Sequence, residues 1–104
     1  MKPTDLKFIS TLTYLGQTYH IARNQHGYWA INAECVDDQN RVTRELTGME
    51  CHLSDTYEDC VRNLKVCRFC IDWMKQRHLG PFMENMVKAM EAARAEGLLP
   101  EFAN

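Results

Sequence analysis

Cys67-Arg68-Phe69-Cys70 sets two thiols three residues apart, and Cys51-His52 stands upstream with two more soft donors. Thiolate and imidazole groups of this kind hold tetrahedral zinc, so a Cys/His metal site is the first chemistry to weigh. Its spacing argues for a plainer role. Zinc-binding Cys-x-x-Cys pairs sit on tight knuckles, whereas the surrounding pattern puts these thiols inside a helix, with Cys67 on the core stripe and Cys70 at its margin. A free cysteine there is a small buried hydrophobe. A redox dithiol needs a helix N-terminus to lower its thiol pKa, and this pair lies far from one.

The four histidines His20, His26, His52 and His78, with Glu34, Asp37 and Asp38 as possible partners, could supply an acid or a base. Nothing in their spacing groups them. No Gly-rich phosphate loop and no Gly-x-Ser-x-Gly is present. We therefore assign no catalytic residue, no metal ligand and no cofactor from the sequence. A Cys/His metal protein and a small enzyme of unknown reaction stay as the alternative classes.

The elements that must position these residues follow from length and pattern. A chain of 104 residues has room for one core, so a single domain over 1–104 is expected. With 45% hydrophobic and 25% charged residues it should fold. The net charge is −2, with 5 basic and 6 acidic groups in residues 1–50 and 7 and 8 in residues 51–104. That even spread gives no electrostatic footprint for nucleic acid. Five cysteines is an odd number, and Met1-Lys2-Pro3-Thr4-Asp5 has no apolar leader-like run, which points to reduced thiols in the cytoplasm. No apolar stretch approaches the roughly 20 residues of a membrane span.

The fold class expected is α+β: a three- or four-stranded antiparallel sheet over about 8–47, a long helix over about 56–78 and a second helix over about 81–96. Phe8–Tyr14 and Gln17–Arg23 read as strands joined at Leu15-Gly16, with a second turn at Asn24-Gln25-His26-Gly27. In Tyr28–Val36 the alternation turns Trp29, Ile31, Ala33 and Cys35 to the core, and Tyr28, Ala30, Asn32 and Glu34 away. Arg41–Thr47 offers a fourth strand with Val42 and Leu46 inward.

Asp55, with Glu58 three residues later, reads as a capping box for the first helix. Its stripe of Tyr57, Cys60, Val61, Leu64, Cys67, Ile71 and Met74 should lie on the sheet. Val66, Phe69 and Trp73 form a second stripe on nearly the opposite side. Gly80 suits a left-handed cap and Pro81 a first helical turn. The second helix presents Phe82, Met83, Met86, Val87 and Met90 and stops at Gly97. Folding it back onto the second stripe would complete the core; left uncovered, that stripe would be an interface, so a two-fold homodimer is expected.

Gly27-Tyr28-Trp29 in a strand, followed by Ser54-Asp55-Thr56-Tyr57-Glu58-Asp59-Cys60 entering a helix with Asn63-Leu64-Lys65, resembles the sheet-plus-helix domain of HicB-type antitoxins over residues 17–72. The resemblance implies a module that grips a protein partner. Residues 37–52 are longer than that family's connection, and no helix-turn-helix or ribbon-helix-helix reader follows. Double-stranded RNA-binding domains share the strand-strand-strand-helix order, but their basic helix start is here Asp55, Glu58 and Asp59, which would repel phosphate.

The resulting expectation is a protein-binding module that regulates or inhibits a partner, of a kind common on phages and other mobile elements, and not an enzyme. Recognition concentrates on loops and on exposed aromatic and arginine residues. The candidate partner-binding residues are Tyr28, Asp37, Asp38, Arg41 and Arg44.

Overall fold

The computed structural model describes residues 2–48, 50–80 and 83–99, Met83 by its backbone alone. Four antiparallel strands precede two helices, an α+β fold: β1 (Lys7–Tyr14), β2 (Gln17–Asn24), β3 (Gly27–Asn32), β4 (Cys51–Ser54), α1 (Tyr57–Gln76) and α2 (Met83–Ala95). The strands lie in the order β1-β2-β3-β4. Backbone proximity groups the chain into two compact units, Met1–Val61 and Arg62–Asn104, with α1 running through the boundary.

In the first unit, Leu15 and Gly16 close the β1–β2 hairpin at φ 49° and 79°, a pair of left-handed residues that matches the twist of the flanking strands. Trp29 and Ile31 on one side of the sheet join Cys35, Val42 and Leu46 in a core cluster, with Leu6, Val36 and Cys51 packed against it. The opposite side carries Tyr19, Ile21 and Ala30, all buried. Here the first turn of α1 comes down. Tyr57 Oη and Ser10 Oγ share a hydrogen bond of 3.1 Å, and the Tyr57 ring stands edge-on to Tyr28 with centroids 6.3 Å apart. Both sides of the sheet thus carry packed residues.

The fourth strand is not Arg41–Thr47 but Cys51–Ser54, which pairs with β3 from Ile31↔Cys51 to Tyr28↔Ser54. A strand over 41–47 would put Arg44 on the core side between Val42 and Leu46, burying a charge at real cost. The chain avoids this by turning. β3 ends at Asn32, whose Oδ1 accepts from Glu34 N at 3.0 Å, and Ala33–Cys35 forms a short 3-10 turn. A single Val36↔Val42 bridge then carries the segment over the Trp29 side of the sheet. Val42 and Leu46 are buried as expected, but from an irregular segment. Ala33 is only half-buried.

The helix caps move by one or two residues. Thr56, not Asp55, caps α1, its Oγ1 accepting from Asp59 N at 3.1 Å. At the other end His78, not Gly80, takes the left-handed position, φ 55°, while Leu79 N donates to Met74 O at 2.9 Å. That is the bond pattern of a Schellman motif, which closes as soon as a residue accepts positive φ. Gly97 does end α2 as expected, φ 80°, with Leu98 N donating to Ala93 O at 3.0 Å. The expected helix start at Pro81 and Phe82 lies outside the described residues.

The second unit has its own core of Cys70, Met74, Ala89 and Ala93. Val66, Phe69, Trp73 and Met86 pack against it, so α2 does fold back on the second stripe of α1. Cys70 is 2% exposed and Cys67 only half-buried, the reverse of the expected order, because α2 rather than a sheet decides which thiol is inside this unit. Ala89 and Ala93 form the close contact face of α2, which leaves Val87 and Met90 outward.

Candidate functional site

β1 is an edge strand. It pairs with β2 on one side, and no described strand adjoins its other side. Its residues are Lys-Phe-Ile-Ser-Thr-Leu-Thr-Tyr, with one charge, at Lys7. Natural edges are blunted by charge, proline or a bulge, because an unpaired row of amides and carbonyls invites another chain. β1 has a bulge at Ile9, which leaves Ser10–Tyr14 as a regular run along this edge.

The bulge also sets the chemistry beside the edge. A regular ladder counted from the Leu15-Gly16 turn would put Lys7 opposite Asn24; the one-residue shift puts it opposite Arg23. Arg23 in turn lies opposite Tyr28, and Tyr28 opposite Ser54, so Lys7, Arg23, Tyr28 and Ser54 form one row across the sheet. The Arg23 guanidinium carbon sits 5.4 Å from the Tyr28 ring centroid, within cation–π range. Tyr57 completes the group through its contact with Tyr28.

On the other side of the sheet, a cavity of about 330 Å³ lies between Phe8, Thr11, His20 and Asn40. It meets at Asn40 a second cavity of about 350 Å³ that includes Lys2, Asp5 and Arg41. Phe8 and His20 make an edge-to-face pair at 5.5 Å.

The sequence-derived site residues fall into three groups. Asp37 and Arg41 belong together: Asp37 Oδ1 accepts from Arg41 N and from Gln39 N, both at 2.9 Å, and Oδ2 from Arg41 Nε at 3.0 Å. The Arg41 amide is the main cause holding the Asp37 carboxyl below its ordinary range. Asp38 is exposed beside them. Arg44 instead joins Glu50, to which it donates from Nη2, and it reaches Cys35 Sγ at 3.3 Å. Thr47 N donates to Glu50 Oε1 at 3.1 Å, and this backbone bond is the first cause of the lowered Glu50 pKa. Tyr28 lies on the opposite side of the sheet from this loop and is not brought together with it. Sequence reasoning missed Lys7, Arg23 and Tyr57 as its neighbours; the bulge that aligns them is a register effect with no local signature.

Burial raises the pKa of all five thiols, Cys60 to about 11, and at Cys35 it outweighs the nearby Arg44 guanidinium. They are protonated at neutral pH and poor nucleophiles. Among the described residues, no three His, Cys, Asp or Glu side chains gather as a metal site would require. Among the described residues, no helix is long and apolar enough to cross a membrane. Compared with protein-family models, curated proteins and solved structures, the chain matches none.

Proposed function

We propose that the protein is a binding module that takes up an extended segment of a partner protein along the open edge of β1, and that it regulates or inhibits the partner by occupying that segment. The observation that carries this reading is Ser10–Tyr14, a regular, uncharged run of edge strand. Strand addition draws affinity from backbone hydrogen bonds and specificity from side chains beside the edge. Free thiols throughout suit a reducing compartment, and we assign the protein to the cytoplasm.

A proline scan of Ser10–Tyr14, read out with peptides selected from a displayed random library, tests the reading. In an antiparallel ladder the N–H groups of successive residues point alternately to the two neighbours. Proline at outward positions should abolish peptide binding and leave the melting temperature within a few degrees, while proline at inward positions should unfold the sheet. Binding that survives every folded proline variant would contradict it. The proposal also includes a two-fold homodimer, supported by Val87 and Met90, 55% and 38% exposed on α2. Light scattering on wild type and Val87→Lys checks it: a dimer that the substitution dissociates supports it, a strict monomer removes it.

A further inference from the structure

We infer that the segment taken up by β1 is acidic and brings a carboxylate to Lys7 and Arg23. This rests on the strand-addition reading and names the chemistry of the partner. Three observations carry it. Lys7 and Arg23 stand directly opposite each other across β1 and β2. Like charges in that position repel and destabilise the pair. Neither enters an ion pair within the described residues, unlike Arg41, which pairs with Asp37, and Arg44, which pairs with Glu50. The Arg23 side chain is exposed, with its guanidinium over the Tyr28 ring.

The charge of the sheet points the same way. None of its four strands contains an Asp or a Glu, so the strand charges are Lys7 and Arg23 alone, in a chain whose net charge is −2. A strand added to β1 would extend the row Lys7–Arg23–Tyr28–Ser54 by one residue at the Lys7 end. A carboxylate there meets two cations and no anion of the sheet. A lysine there would be the third cation in line. Electrostatic complementarity of this kind acts on partner choice more than on raw affinity. Side chains alternate along a strand, so the next residue of the segment would turn to the Phe8 and His20 side, beside the cavity of mixed lining there.

Nucleic acid is the rival occupant, since tyrosines and cations also take bases and phosphates. Two cations make a short electrostatic track for a phosphate backbone, whereas the amides and carbonyls of the β1 edge offer the hydrogen bonds that an extended peptide completes. The protein segment is therefore favoured.

The test uses short, blocked peptides of alternating valine and threonine in which a single glutamate is moved through the sequence, with glutamine and lysine counterparts, in fluorescence polarisation at low ionic strength. The best glutamate peptide should bind about fivefold more tightly than its glutamine counterpart, the upper range for one exposed ion pair, and the lysine peptide more weakly than both. Lys7→Gln, at an exposed strand end where folding is not at stake, should close most of that gap, and added salt should close it too. Equal binding of the glutamate and glutamine peptides would overturn the inference and leave strand addition standing. No binding by any peptide would overturn both. Oligothymidylate that binds more tightly than the glutamate peptide, with the same loss in Lys7→Gln, would transfer the site to nucleic acid.

Discussion

A Cβ on Gly27 would stand 2.6 Å from the carbonyl oxygen of Ser54, because the end of β4 runs beside the start of β3. Gly27 also has φ 136°, where an L side chain is strained whatever the space around it. Gly27→Ala should therefore lower the unfolding free energy by about 2 kcal/mol or more, the range of a backbone substitution that combines strain with overpacking. Urea denaturation of the variant checks this. Unchanged stability would mean that 51–54 is not the strand beside β3.

His78 holds the left-handed position after α1 without the freedom of glycine. Adopting that region costs an L residue roughly 1–2 kcal/mol, partly offset by the extra flexibility glycine has when unfolded. His78→Gly should raise stability by about 0.5–1 kcal/mol and increase the melting temperature by a few degrees. A fall in melting temperature would contradict the assigned cap.

The hairpin, β3, α1 and the return of α2 onto Val66, Phe69 and Trp73 were legible in the sequence, since each rests on a local signal: Leu15-Gly16, strict alternation, helical spacing, a terminal glycine. β4 was not. Cys51-His52-Leu53-Ser54 is short and mixed in character, and its pairing is fixed at long range by the space Gly27 leaves. Arg41–Thr47 has the stronger β pattern, yet alternation there would bury Arg44. The candidate site was half visible. Alternation singled out Tyr28, but its cationic neighbours depend on the bulge at Ile9, and a one-residue slip moves a side chain to the other face. Asp37, Arg41 and Arg44 read as recognition residues, whereas in the fold they also tie the loop together through Asp37 and Glu50.

The two thiols of Cys-x-x-Cys should differ in cost. Cys70 is buried in the core of the second unit and Cys67 is half-buried. Cys70→Ala should lose about 1–2 kcal/mol for the contacts it removes, and Cys67→Ala less. Chemical denaturation of both variants checks the order; a larger loss for Cys67→Ala would contradict the packing.

His52, in β4, has its pKa lowered from 6.5 by desolvation. The unfolded chain therefore binds the proton more readily, so stability is full above the unfolded pKa and falls as pH drops from about 6.5 toward the folded value. The carboxylates Asp37 and Glu50, also lowered, lose their contribution only in a more acidic window. Urea midpoints between neutral pH and mild acid should decline in wild type and decline less in His52→Gln. Parallel curves would show that His52 is not shielded from water.

Backbone amide exchange along β1, followed residue by residue with and without the best-binding glutamate peptide, tests strand addition most directly. Alternate amides in Ser10–Tyr14, those whose N–H groups point away from β2, should become protected, because they alone acquire new partners when a strand adds to this edge. Protection confined to the loop carrying Asp37, Arg41 and Arg44, with β1 unchanged, would contradict it.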